Sequence, residues 1–345
     1  MTEPTAPPEL TLAHTLMSEA DALVLLDGHR ISHGERTMDP KAQIVGEFVK
    51  SIRVPGYYPP LPELRKQLRT MVELMDEPAP PLPRVEDISI PGPAGPMTAR
   101  VYDSIGASGA PRAAVLYLHG GGWVQGDIES HHGLCARLAL YSGAIVVSLD
   151  YRLAPEHKFP AAVDDSLAAY RWLRDHAREI GADPARVAVG GDSAGGNLSA
   201  VVSQLSVAGG LPLPTCQVLI YPAVDFALDT PSHQELEEGH VIPRERILWY
   251  AGQYLRGDAD KADLRASPLR ASDLRGQPPA LVITAGFDPL RDEGRAYADR
   301  LRQAGVDAIH REYPGQIHAF VSLTRAIPQG AECTREIGEY LRKHL

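Results

Sequence analysis

The chain is poor in cysteine. Only Cys135, Cys216 and Cys333 occur in 345 residues, far apart and odd in number. No C-x-x-C pair is present, so neither a zinc knuckle nor a disulfide framework is expected, and the thiols read as free groups in a reducing cytosol. An excess of positive charge is missing too. Thirty-four Lys and Arg stand against 44 Asp and Glu, for a formal net charge of −10. Such a surface repels phosphate backbones and anionic lipid, which argues against a nucleic-acid partner. Long apolar runs are absent. The stretch Ala22 to Leu26 is far short of the ~20 residues that span a bilayer, so no stable membrane insertion is expected. The opening MTEPTAPPEL has no basic start leading into an apolar core, which speaks against a signal peptide and makes the cytoplasm the default expectation. No internal repeat and no low-complexity tract is visible.

What remains is globular material. Hydrophobic residues make up 44% and charged residues 23%, with 30 prolines and 31 glycines for the turns of an α/β fold. Residues 1–37 have mixed polarity and read as an N-terminal extension with one helix near Thr11 to Leu26. Residues 38–83 have helical texture. Pro40 suits a first helical position after Asp39, and the apolar stripes are Ile44, Val45, Phe48, Val49 and then Leu64, Leu68, Met71, Val72, Leu74. Pro55-Gly56 and Pro59-Pro60 divide the two helices, which are placed over a pocket as a cap. Residues 84–345 form the catalytic unit. Two strands, Val85 to Ile90 and Met97 to Tyr102, flank a turn-rich hairpin. Apolar strand runs then follow at Ala113–Leu118, Ala144–Leu149, Val187–Val189, Gln217–Tyr221, Ala280–Ala285 and Ala308–Tyr313, with amphipathic helices between them. That alternation specifies a mostly parallel twisted sheet with helices on both faces. Only about 225–261 breaks it, and this segment reads as a lid insertion.

Four short segments carry chemistry. Gly191-Asp192-Ser193-Ala194-Gly195 has the G-x-S-x-G spacing between a short strand and a helix, the context in which a serine hydroxyl is raised on a tight turn. His119-Gly120-Gly121-Gly122-Trp123 follows another strand. Its glycines leave backbone N–H groups uncovered, fit to hold an oxyanion together with the N–H of Ala194. No Gly-Lys-Ser or Gly-Lys-Thr follows and the G-x-G-x-x-G spacing is absent, so neither phosphate nor dinucleotide binding is indicated. Serine needs a base. Of 13 histidines, His318 follows the last strand and the turn Pro314-Gly315, at a strand's carboxyl end. His310 reads as packing or surface, and His131 and His132 as solvated. The orienting carboxylate is Asp288, after the strand Ala280–Ala285. Asp292 and Glu293 fall in the first turn of the next helix, where acids serve the dipole. The order Ser193, Asp288, His318 is that of α/β-hydrolases.

With these segments, the chain resembles the hormone-sensitive-lipase-like esterases, bacterial family IV. The resemblance rests on His119 to Trp123, Tyr151-Arg152-Leu153-Ala154-Pro155-Glu156, Gly191 to Asn197, Asp288 to Glu293, and Tyr313-Pro314-Gly315 leading to His318. It implies the α/β-hydrolase fold with a helical cap and hydrolysis of short-to-medium acyl esters without cofactor or metal. It implies Gly121, Gly122 and Ala194 as oxyanion donors, a small-molecule ester as substrate, and a homodimer as in many relatives. Trp123 and Asp192 are candidates for the substrate pocket, although Trp123 is equally placed to pack. Arg152 and Glu156 are expected to brace the elbow region through internal hydrogen bonds and a charge pair, Asp164 and Asp165 to serve a helix start, and Lys158 to lie at the surface. Ala319 stands where such esterases often carry Gly. An amidase, lactonase or carbamate hydrolase would use the same triad. A ligand-binding module on this scaffold would lack the histidine that is present here.

Overall fold

The computed structural model describes residues 10–106 and 109–345. Eight strands form one sheet: β1 (Arg84–Gly92), β2 (Gly95–Asp103), β3 (Arg112–Leu118), β4 (Ile145–Leu149), β5 (Ala182–Asp192), β6 (Gln217–Ile220), β7 (Ala280–Phe287) and β8 (Ala308–Ile317). Their spatial order is β8-β7-β6-β5-β3-β4-β2-β1. Every pairing from β4 to β8 is parallel, whereas β1 and β2 join antiparallel as a hairpin.

Alternation along each strand sends side chains to two buried faces. In β3, Leu116 and Leu118 pack with Val163, Tyr170 and Leu173 of one helix (Ala161–His176) and with Leu198 and Val201 of another (Ala194–Ala208). Val115 and Tyr117 of the same strand face Leu134 and Leu138 of a helix at His132–Ser142, and Ile337 and Leu341 of the last helix, Gln329–His344. Both faces are therefore apolar and the strands read as continuous hydrophobic runs.

The sheet's parallel direction is what positions the site. The chain leaves β3 at Leu118 into His119, β5 at Asp192 into Ser193, β7 at Phe287 into Asp288, and β8 at Ile317 into His318. Since Leu118 pairs with Gly191 and Phe287 with Ile317, all four exits lie at one rim. In open parallel sheets that carboxyl rim is where ligands bind.

Further segments lie outside this frame. The helix expected across Thr11 to Leu26 is two, Leu12–Thr15 and Glu19–Leu26, because Ser18 caps the second by accepting from the N–H of Asp21. Two longer helices follow, α1 (Pro40–Ser51) and α2 (Leu61–Met75). Asp39 caps α1 through the N–H groups of Lys41 and Ala42, with Pro40 in its first position. In α2 the buried face is Leu64, Val72 and Met75, while Leu74 points outward at 39% exposure. The insertion carries a short helix, α3 (Pro231–Glu235), and a longer one, α4 (Arg244–Tyr254). The end of α1 and the following loop meet this insertion. Arg53 donates to the carbonyls of His240 and Val241, Gly56 donates its N–H to Glu245, and the ring of Tyr58 stacks on Trp249 at 4.4 Å. Among the described residues no helix is long and apolar enough to cross a membrane, and all three cysteines are buried and unpaired.

Candidate active site

The serine sits where no ordinary turn would place it. Ser193 has φ 54° and ψ −116°, a region that L-residues with a side chain seldom occupy. The packing around it enforces this geometry. A methyl group on Gly191 or Gly195 would collide with the carbonyl of Leu118, so β5 can pass this close to β3 only with glycine on both sides of the serine. The result is a hydroxyl held at the start of a 15-residue helix whose N-terminus carries a partial positive charge.

His318 stands next to it. Nε2 lies 3.0 Å from the Ser193 Oγ, and Nδ1 lies 2.7 Å from Oδ2 of Asp288. A carboxylate only accepts, so Nδ1 carries the ring hydrogen and Nε2 is left to accept from the serine hydroxyl. The carboxylate of Asp288 is fully buried and takes a second hydrogen bond from the N–H of Leu290. Ser193 and His318 are each 6% exposed. The ring of Tyr221, itself buried and at φ 34°, packs against the imidazole at 4.6 Å. A hydroxyl, an imidazole and a carboxylate in this series can move a proton off the hydroxyl and hold the cation that results.

The glycine loop after β3 and the residue after the serine leave three backbone donors free. The N–H groups of Gly121, Gly122 and Ala194 make no hydrogen bond among the described residues. Gly121 (φ 116°) and Gly122 (φ 62°) adopt conformations open to glycine, and the carbonyl of Gly121 turns the loop by accepting from Val124 and Gln125. Uncommitted donors at a helix start can stabilise charge that appears during a reaction.

Several side chains behave otherwise than the sequence suggested. Asp192 does not line the pocket. It is buried, and its carboxylate accepts from the Tyr117 hydroxyl at 2.7 Å, from the Gly120 N–H at 3.0 Å, and pairs with His131 at 3.2 Å. Burial alone would raise its pKa and lower that of His131. Their mutual attraction, with the Tyr117 bond, outweighs it, so Asp192 is held below the usual carboxylate range and His131 above the usual imidazole range. His131 is accordingly buried, not solvated, and its Nδ1 meets Ser130. No spacing rule in the sequence signals this network, because Tyr117 enters it from inside an apolar strand run.

Trp123 packs. It is 3% exposed and stacks on Tyr254 at 4.5 Å, with Phe226 at 5.2 Å. Glu293 is buried, accepts from the N–H groups of Val224 and Asp225, and pairs with the buried His233 at 2.7 Å. Its role is to anchor the insertion, not to serve a helix dipole. Asp165 likewise is no simple helix-start acid, since it is buried and chelates Arg152. Glu156 instead takes a two-pronged bond from Arg65 of α2. Lys158 donates to the carbonyls of Gly252 and Leu255 at the end of α4. Ala319 has φ 67°, a left-handed residue, which explains why glycine suits that position. No group of His, Cys, Asp and Glu among the described residues is arranged to hold a metal.

A family profile described as the α/β hydrolase fold matches residues 115–322, more than half of the chain. The chain belongs to the α/β hydrolases, in their hormone-sensitive-lipase-like branch. This hydrolase is 43% identical to the carboxylic ester hydrolase LipN of Mycobacterium tuberculosis over 332 residues, 93% of this chain and 85% of that one. It is 42% identical to an ethyl acetate hydrolase of Pseudomonas putida, over 68% of this chain and 74% of that one. Among solved structures, the hydrolase superposes on the metagenomic carboxylesterase EstE1 with a TM-score of 0.80 at 44% identity, covering 83% of this chain and 98% of the other. An ester-hydrolase from the Lake Arreo metagenome gives 0.85 at 42%, covering 89% and 99%.

Proposed function

We propose that this chain, a carboxylic-ester hydrolase of the α/β fold, hydrolyses short-to-medium acyl esters through an acyl-enzyme on Ser193. The observation that carries the reading is the unbroken series from Ser193 Oγ through His318 to Asp288, at 3.0 and 2.7 Å, beside three uncommitted N–H donors. His318 takes the hydroxyl proton as Ser193 Oγ attacks the ester carbonyl. The N–H groups of Gly121, Gly122 and Ala194 receive the oxyanion, and Asp288 stabilises the imidazolium. His318 then gives its proton to the departing alcohol. Water, deprotonated by His318, releases the acid. All of this is side-chain and backbone chemistry.

The small exposure of Ser193 and His318 supports a compact substrate. We read α1, α2 and the insertion at about 225–261 as one cap, supported by the contacts of Arg53, Gly56 and Tyr58 across the two. The buried, unpaired thiols support the cytoplasm as the compartment, and a homodimer stays an expectation from the resemblance. The test is turnover of chromogenic esters from acetate to decanoate by the parent enzyme and Ser193→Ala. The parent should prefer the shorter chains and the variant should lose turnover at every length. Undiminished turnover in a folded Ser193→Ala enzyme would remove the serine from the mechanism.

A further inference from the structure

The oxyanion loop touches the cap at one residue whose fit is unusually close. Gly122 has no Cβ, and the space a Cβ would need is taken by the ring of Tyr250, from α4. Such an atom would lie 2.6 Å from Cδ1 and from Cδ2 of that ring. The aromatic face therefore rests on the main chain of Gly122, one of the glycines whose N–H is uncommitted. Tyr250 is itself held. Trp249 meets it edge-on at 5.4 Å, Trp249 stacks on Tyr58 at 4.4 Å and 6°, and the Arg246 guanidinium lies over the Tyr58 ring at 4.9 Å and the Tyr250 ring at 6.0 Å. The stack runs from the loop before α2, through the insertion, to the glycine. On the same loop Arg65 of α2 donates to the carbonyl of Val124 at 2.8 Å and is itself fixed by Glu156.

We infer that Tyr250 is a positioning residue for catalysis: the face of its ring sets the Gly122 N–H, so the cap acts on the transition state and not only on access to the site. The inference rests on the reading of Gly121, Gly122 and Ala194 as oxyanion donors. The physical ground is that donors must be preorganised at the position of the oxyanion, and the three successive glycines Gly120, Gly121 and Gly122 have no side chains with which to hold themselves. A small displacement of reacting or stabilising groups can cost on the order of 10²-fold in rate. A residue that only lined the pocket would change ground-state binding instead.

The experiment compares Tyr250→Ala and Tyr250→Phe with the parent in three readouts: kcat and KM for an acetate ester, the Ki of an alkyl trifluoromethyl ketone, and the Ki of the matching trifluoromethyl carbinol. The ketone forms a hemiketal oxyanion on Ser193, and the carbinol does not. Tyr250→Ala should lower kcat by roughly tenfold to a hundredfold with KM within about twofold. Its ketone Ki should rise by the same factor, with the carbinol Ki unchanged. Tyr250→Phe, which keeps the face, should behave as the parent. If Tyr250→Ala does not fold, Tyr58→Ala should give the same pattern at smaller size. A rise in KM alone, or an equal rise for ketone and carbinol, overturns the inference and leaves the donor reading intact. A parent enzyme that binds ketone no tighter than carbinol sinks the donor reading, and the inference with it.

Discussion

Replacing Asp192 should damage this enzyme twice, in stability and in kcat, and the structure sets the size of the first effect. Its carboxylate is the shared partner of the Tyr117 hydroxyl, the Gly120 N–H and His131, all buried. In Asp192→Ala those groups lose their acceptor together. Breaking a buried ionic pair from one side costs about 3–5 kcal/mol, and water entering the space keeps the additional bonds from adding in full. With an unfolding entropy of ~2.1 cal/mol/K per residue, a chain of this length has about 0.7 kcal/mol/K in total, so Tm should fall by roughly 4–7 °C. Asp192→Asn keeps the shape and one acceptor and should lose about half as much. The pair also fixes a pH signature. Asp192 is held below its ordinary 3.8, so its contribution is present above that value and lost as pH falls through the lowered one. His131 is held above its ordinary 6.5, so its contribution is complete below 6.5 and lost as pH rises through the raised value. Melting curves from pH 5 to 9 should show an alkaline loss in the parent that is missing in Asp192→Asn. A Tm within 1 °C of the parent for Asp192→Ala, with kcat unchanged, would refute the view that this carboxylate holds the glycine loop at Gly120.

Asp288→Asn should leave KM nearly unchanged and lower kcat by about 10⁴-fold, because an amide in place of the carboxylate favours the wrong imidazole tautomer; steady-state kinetics on an acetate ester decides it. Glu293→Gln should do the opposite. Its loss should appear as about 1–3 kcal/mol in denaturant unfolding, since the buried Glu293 anchors the N–H groups of Val224 and Asp225, while kcat per folded molecule stays within about threefold. A catalytic collapse in Glu293→Gln would exchange the roles of the two acids.

The strands and the positions of the candidate site residues after them were legible because they leave marks in the sequence. Val115 to Leu118 is apolar at consecutive positions because both faces of the sheet are covered, and that run ends where the glycine loop begins. Ser193, Asp288 and His318 are legible for a related reason, as each follows a strand directly. Tyr117, His131 and Asp192 are not. Whether a strand tyrosine donates to a carboxylate 75 residues later depends on which face of the sheet it takes, and on a helix start arriving beside it. Asp165 and Glu293 misled for a different reason. Acids near an expected helix start have a sufficient local explanation in the dipole, so a longer-range partner leaves no trace in the sequence. The contacts of α1, α2 and the loop between them were the least legible, because they join Tyr58 to Trp249 and Arg65 to Glu156 across stretches with no common period.

The loop from Gly120 to Gly126 makes the general point. It holds four glycines, and fixing each costs roughly 0.5–1 kcal/mol more than fixing alanine, about 2–4 kcal/mol together. Two charged bonds reach its backbone, Asp192 to the N–H of Gly120 and Arg65 to the carbonyl of Val124. At ~1.5–3 kcal/mol each they are of the same size as that cost. Their effect is therefore order in the loop, not surplus stability of the fold. One comes from Asp192, the last residue of β5, and the other from Arg65 of α2, while the Tyr250 ring of α4 rests on Gly122. A loop built this way keeps bare N–H groups and yet holds one shape, because side chains from distant segments, together with its own buried Trp123, do what Gly120, Gly121 and Gly122 cannot do for themselves.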